Sequence, residues 1–269
     1  RAGICWQLRK ETMTRFVKTI TSAANPAVKA LKSLDQRKRR EESGLFIVEG
    51  LRHIAEAVAA GWRVESLCFT PEARTAALAL PLAADTEMLE MPEDLLRRIT
   101  GRDNTQDVIA ALHLRTYNID AMTEGGNALW VGLEDIRDPG NLGTILRTLA
   151  WFGNFRCLLS PGSVDPYNPK VVRSSMGAIF HAPMELDVEL DSLHTRFQRI
   201  ACLDMSGEPV QSASFRAFDC YLFGNEARGV PREQLASLKA QPFTIPGCGA
   251  IESLNLAATV NMCAYELSR

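Results

Sequence analysis

No apolar run in this chain of 269 residues reaches the roughly 18 residues a bilayer-spanning helix needs, so no membrane segment is expected. Positive charge is not in excess either: 30 Lys and Arg stand against 32 Asp and Glu, a formal charge of −2. With that balance, nucleic acid is engaged through a local patch and not through a global field. The seven cysteines, at positions 5, 68, 157, 202, 220, 248 and 263, are scattered, odd in number and never spaced C-x-x-C. That is the pattern of free thiols in a reducing cytoplasm. The four histidines lie apart from one another and from the cysteines, so no metal site is expected. No G-x-G-x-x-G follows a strand signal, which removes the fingerprint of a nucleotide-dependent oxidoreductase. Aromatic residues make up only 7% of the chain, and no Lys/Arg-Gly-Phe platform for stacking RNA bases is present.

What is present is ample core material: 46% of residues are hydrophobic, enough for one large or two modest domains. Residues 1–12 precede Met13 without periodicity or a signal-peptide core, so either Met13 is the start or the segment is a processed organellar presequence, against which Glu11 and the lack of serines argue; 1–23 is expected as an N-terminal extension. Over 24–117 the patterns predict helices at 26–42, 51–60 and 92–100, another opened by Pro71, and strands at 45–48, 64–69, 88–91 and 108–112. This rhythm argues for a small α/β sandwich. A polar, glycine-bearing break at 118–127 reads as a linker. From 128 onward, strands at 128–133, 155–159, 181–186, 199–204, 219–223 and 242–245 alternate with helices at 141–152, 168–179, 191–198, 231–239 and 253–267. Short apolar strands alternating with helices predict a mainly parallel sheet with helices on both faces.

Three segments of this second domain carry candidate chemistry. The first is Asp138-Pro139-Gly140-Asn141-Leu142-Gly143-Thr144-Ile145-Leu146-Arg147. The second is Leu222-Phe223-Gly224-Asn225-Glu226-Ala227-Arg228-Gly229. The third is Ile245-Pro246-Gly247-Cys248-Gly249-Ala250-Ile251-Glu252-Ser253-Leu254-Asn255. Each places small residues and polar side chains beside a helix start, where backbone can approach a ligand and first-turn N–H groups are unpaired. Taken alone, Asn141 reads as a helix N-cap, Glu226 as a solvated loop residue, and Ser253 and Asn255 as caps of the last helix. Arg147 is either a snorkelling surface residue or an anion clamp. Lys170 and Arg173 share a helical face and either meet phosphate or simply face solvent. Lys29, Lys32, Arg37, Lys38, Arg39, Arg40 and Arg52 form the strongest local excess of positive charge, diluted by Glu41 and Glu42, and are the candidate RNA-contacting patch.

The three segments, in this order and near this spacing, resemble the motifs of the SpoU (TrmH-type) RNA 2′-O-ribose methyltransferases of the SPOUT superfamily. The likeness covers roughly residues 127–269 and extends more weakly to Asn25-Pro26-Ala27-Val28-Lys29 and Leu45-Phe46-Ile47-Val48-Glu49-Gly50, which look like the family's small substrate-binding domain. The resemblance implies an L30e-like sandwich at 24–117 and a domain at 128–269 with a deep trefoil knot near 219–267. Generic rules of chain topology would not lead one to expect such a knot. It further implies S-adenosylmethionine as cofactor, held around Gly224, Gly229, Ile245 and Leu254. Asn141, Arg147, Glu226, Ser253 and Asn255 would form the catalytic pocket, no metal would be needed, and structured RNA, ribosomal above all, would be the substrate. A non-catalytic RNA-binding or ribosome-assembly factor on the same fold is the alternative.

A homodimer is also expected. The final helix carries one apolar stripe at Leu254, Ala257, Ala258, Met262 and Tyr265 and another at Leu256, Val260, Cys263 and Leu267. A helix apolar on most sides is buried on most sides, here between its own sheet and a second subunit.

Overall fold

The computed structural model describes residues 15–117 and 128–269. The expected linker at 118–127 and most of the expected N-terminal extension lie outside these residues.

The first domain is built on strands β1 (Val17–Thr19), β2 (Leu45–Glu49), β3 (Val64–Phe69), β4 (Glu87–Glu90) and β5 (Val108–His113), in the order β1-β4-β3-β5-β2. β5 runs antiparallel to both β2 and β3, and the remaining pairs are parallel. Helices α1 (Pro26–Ser33), α2 (Arg37–Ser43), α3 (Leu51–Ala59), α4 (Arg74–Leu78) and α5 (Glu93–Thr100) complete it. Alternation along β2 sends Phe46 and Val48 to the face shared with Ile54 and Ala57 of α3, and Ile47 to the face shared with Val28, Leu31 and Leu95 of α1 and α5. The short strand β1 carries no alternation over its three residues and was not visible in the sequence pattern.

The helix expected over 26–42 is instead two helices, and the break has a cause. Arg40 turns inward and donates from Nη1 to the carbonyls of Leu34 (2.7 Å) and Asp35 (2.8 Å) just beyond the C-terminus of α1. A guanidinium at that position satisfies carbonyls that continued helix would have paired.

The second domain holds β6 (Leu129–Leu133), β7 (Phe155–Leu159), β8 (Met184–Glu185), β9 (Ile200–Pro209), β10 (Cys220–Phe223) and β11 (Gln241–Thr244) in one sheet, ordered β11-β9-β10-β6-β7-β8, every pair parallel. Helices α6 (Pro139–Phe152), α7 (Pro169–Ser174), α8 (Leu193–Arg196), α9 (Arg232–Ser237) and α10 (Leu256–Leu267) flank it. One face packs Val131, Tyr221 and Phe243 against Leu142, Ile145 and Leu149 of α6 and Val260 of α10; the other packs Trp130, Leu158 and Leu222 against Leu193, Phe197 and Leu238. β9 is longer than expected because its pairing to β11 jumps from Cys202–Pro242 to Glu208–Phe243, so residues 203–207 bulge out of the ladder. Gly207 is required there: a Cβ would stand 2.4 Å from the Pro242 carbonyl oxygen.

The two domains share a core. Phe46 and Trp62 of the first pack with Tyr167 and Phe180 of the second, and the Trp62 indole donates to the Phe180 carbonyl at 3.2 Å. Two ion pairs cross the same seam, Arg40 to Asp165 (Nε–Oδ2 2.9 Å) and Arg173 to Glu49 (3.0 Å).

Of the two apolar stripes of the final helix, Leu256, Val260 and Cys263 are buried within the protomer on the face that meets α6. The outward residues belong to the other stripe, with Met262 47% and Tyr265 60% exposed.

Candidate active site

The loops that follow β6 and β10 and the loop between β11 and α10 converge on one side chain. Asp138 caps α6, its carboxylate accepting from the Asn141 N–H at 2.7 Å, with Pro139 in the first turn. Asn141 is therefore not the cap it was expected to be, and its amide is free for longer-range work. Asn141 Nδ2 donates to Glu226 Oε1 at 2.7 Å, and Asn141 Oδ1 accepts from Asn255 Nδ2 at 3.0 Å. Asn255 does cap the last helix, accepting from the Ala258 N–H at 3.2 Å, so α10 begins at Leu256 and not at 253.

Glu226 is aimed by a tight turn. Asn225 Oδ1 accepts from the Ala227 N–H (3.0 Å), and the Gly229 N–H donates to the Asn225 carbonyl (2.8 Å). Gly229 lies at φ +65°, and a Cβ on Gly224 would stand 2.1 Å from the Gly229 carbonyl carbon, so the turn closes only with glycine at 224. The α6 end is fixed in the same way. A Cβ on Gly143 would meet Ser174 Oγ at 2.0 Å, and that hydroxyl donates to the Pro139 carbonyl at 3.1 Å.

Sequence reasoning missed Asp135, the hub behind this turn. It sits at φ 49°, a left-handed conformation, just past the end of β6. Its N–H donates to Ser160 Oγ (2.8 Å), its carbonyl accepts from Asn225 Nδ2 (2.9 Å), and its carboxylate pairs with Arg137 (2.8 Å) and with Arg228. The bond from Arg137, reinforced by Arg228, holds this carboxyl below the ordinary aspartate range. Its neighbour Glu134 is pushed the other way by burial. The Asp138 cap was readable, since Asp before Pro is an N-cap signature; the Asp135 hub was not, because its partners Ser160, Asn225 and Arg228 lie far off in the chain.

Arg147 is exposed, six positions beyond Asn141 on α6, and makes no hydrogen bond or ion pair among the described residues. It stands outside the Asn141 network. Ser253 and Leu254 are exposed and Ile245 half-buried. Residues 246–254 form no hydrogen bond among the described residues, so their backbone groups are open to a ligand. A cavity of about 380 Å³ lined by Cys202, Asp204, Arg232 and Lys239 lies beside α9 and shares no residue with the Asn141 network. Among the described residues no His, Cys, Asp and Glu cluster could hold a metal ion, and no helix is long and apolar enough to cross a membrane.

The basic patch divides. Lys29, Lys32, Arg37, Lys38, Arg39 and Arg52 are exposed, although Arg37 pairs with Glu41 (2.6 Å) and Arg39 with Glu42 (2.7 Å). Arg40 is a correction: at 2% exposure and bound to Asp165, it is spent on the domain seam and cannot reach phosphate. Lys170 is exposed and unpaired among the described residues, whereas the half-exposed Arg173 is engaged by Glu49.

The profile of the SpoU rRNA Methylase family matches residues 128–265, and that of the MRM3-like substrate binding domain matches residues 25–110. A protein of Synechocystis named as an uncharacterized tRNA/rRNA methyltransferase is 32% identical, the match covering 96% of each chain. A 23S rRNA (guanosine(2553)-2′-O)-methyltransferase of Bacillus subtilis is 28% identical over 93% of this chain and 99% of its own. Among solved structures, the AdoMet-bound rRNA methyltransferase of Sinorhizobium meliloti superposes with a TM-score of 0.84 at 30% identity, covering 93% of this chain and 97% of that one.

Proposed function

The chain belongs to the SpoU rRNA methylase family, and from that membership we propose that it transfers a methyl group from S-adenosylmethionine to a ribose 2′-hydroxyl of structured RNA, ribosomal RNA foremost. The observation that carries the reading is the meeting of all three motif segments at Asn141, beside a loop whose backbone groups are unspent.

The cofactor fits the residues present. The glycines at 224 and 229 and the open backbone of 246–254 suit an adenosyl group, with Ile245 and Leu254 supplying apolar contact. S-adenosylmethionine held there would supply a sulfonium-activated methyl group, with a neutral thioether as its leaving group. The chain then has to hold the hydroxyl in line and manage its proton. A free guanidinium is effectively never deprotonated, so Arg147 holds substrate phosphate and stabilises charge developing on the 2′-oxygen, while the hydroxyl proton passes to that phosphate. Asn141 fixes the positions of Glu226 and Asn255, and Ser253 lies two residues before Asn255 in the same loop.

The residue range 24–117 serves as the substrate-binding domain, with Lys29, Lys32, Arg37, Lys38, Arg39, Arg52 and Lys170 as phosphate contacts. The second domain carries a deep trefoil knot near 219–267, as the resemblance of its three motifs to the SPOUT superfamily implies. The protein acts in the cytoplasm as a homodimer formed through α6 and α10. Ribose-methylation mapping of large-subunit ribosomal RNA, in a strain lacking the gene and in its parent, tests the activity. One site should lose its methyl group and regain it with purified protein and cofactor. Identical maps, together with RNA binding but no transfer in vitro, would favour an assembly factor.

A further inference from the structure

At the mouth of the site two arginines are gathered by one carboxylate. Arg137 is 68% and Arg228 70% exposed at the side chain, and both bond to Asp135, itself only 14% exposed. They come from the two loops that supply Asn141 and Glu226, the first residing one position before the Asp138 cap, the second two positions after Glu226.

Three features set this cluster apart from an ordinary surface ion pair. Asp135 is held in a left-handed conformation by bonds from both directions, its N–H to Ser160 and its carbonyl from Asn225, and strain of that kind persists where surrounding structure enforces it. One carboxylate between two guanidiniums leaves one positive charge over, and each guanidinium keeps donors directed to solvent. The other carboxylates of these loops bond elsewhere and pair with neither arginine among the described residues: Glu226 accepts from the Asn141 amide and Asp138 from the Asn141 N–H.

On the reading that the site methylates RNA, we infer that Arg137 and Arg228, spaced by Asp135, form a clamp for the phosphodiester next to the reacting nucleotide. A planar fork of donors matches a phosphate, and a pair of forks preset by a shared carboxylate loses little side-chain freedom on binding. The clamp orients the backbone so that the 2′-hydroxyl faces the Asn141 network; the two arginines are positioning residues.

The test compares the wild type with the Arg137→Ala/Arg228→Ala and Arg137→Lys/Arg228→Lys double variants on an unmodified transcript of bacterial large-subunit ribosomal RNA. RNA affinity is measured across a salt series, with S-adenosylmethionine affinity and unfolding midpoint alongside. The alanine pair should lose about tenfold in RNA affinity, and its slope of log affinity against log salt should flatten by about one to two. The loss should fall more on KM for RNA than on kcat, cofactor affinity should stay within about threefold, and the lysine pair should recover the slope. An unchanged slope overturns the clamp. So does a joint fall in cofactor affinity and unfolding midpoint, which would make the cluster a loop brace. Should the wild type transfer no methyl group at all, the methyltransferase reading fails while the salt slopes still decide the clamp.

Discussion

Asn141 and Glu226, 85 residues apart in the chain, share a hydrogen bond of 2.7 Å, and the same Asn141 amide accepts from Asn255 on its other side. One planar group thus ties the start of α6, the turn after β10 and the cap of α10. The amide is available because Asp138 takes over the capping of α6. Had Asn141 been the cap, its oxygen would be occupied and Asn255 would have no partner there.

Asn141→Ala should therefore cost more in activity than in stability. Two exposed hydrogen bonds are worth about 1 kcal/mol each at most. Loosening three loops around the reacting group, by contrast, should lower kcat by about a hundredfold, the scale of an ångström's misplacement. Methyl-incorporation kinetics beside urea denaturation separates the two; a variant within threefold of wild-type kcat would show that the network does not organise the site.

Arg147→Ala should abolish transfer with cofactor affinity retained, because the side chain is exposed, unpaired among the described residues and reserved for RNA. Calorimetry with S-adenosylmethionine and single-turnover transfer supply the two readouts. Near wild-type turnover would remove Arg147 from the mechanism.

How far the site was legible follows from where each residue's partners lie. The alternation of short apolar strands and helices sufficed for the parallel sheet of the second domain, since burial on both faces is written locally. The three motifs were legible from their small residues beside helix starts and from their order and spacing, and the structure gives the reason for two of the glycines, Gly224 and Gly143, where a Cβ would clash. Arg40 was misread because charge patterning shows only that arginines are adjacent, and it cannot show that one of them turns in to bind Asp165, 125 residues away. The same blindness hid the Asp135 hub, whose partners Ser160, Asn225 and Arg228 come from other loops.

The basic patch accordingly gives two different outcomes. Neutralising Arg37, Lys38 and Arg39 together should weaken RNA binding and flatten its salt dependence by about two to three, with stability changed little, since their ion pairs are exposed. Arg40→Ala should instead destabilise the fold by about 3–5 kcal/mol, because Asp165 keeps a buried charge without its partner and the Leu34 and Asp35 carbonyls lose a donor. Salt-dependent RNA affinity for the triple variant and chemical denaturation for Arg40→Ala check the pair. An Arg40→Ala protein as stable as wild type would show that the seam does not depend on this arginine.

The proposed homodimer is tested on residues chosen from the structure rather than from helical periodicity. Leu256 and Val260 are buried inside the protomer, so glutamate at either position would damage the core and say nothing about assembly. The free surface is the outer side of the paired helices: Trp151 on α6 is 84% exposed, and Met262 and Tyr265 project from α10. Trp151 lies four positions beyond Arg147 and shares its helix face, so a subunit seated on Trp151 would also approach Arg147. Arg147 stands outside its own protomer's Asn141 network, which is the arrangement expected if it completes the partner's site. Trp151→Glu combined with Tyr265→Glu should yield a folded monomer with a native circular dichroism spectrum, cofactor affinity and methyl transfer both lowered at least tenfold. Light scattering at micromolar concentration reads the mass. A wild-type chain that is monomeric there and fully active would mean that each protomer works alone, with Arg147 serving its own site.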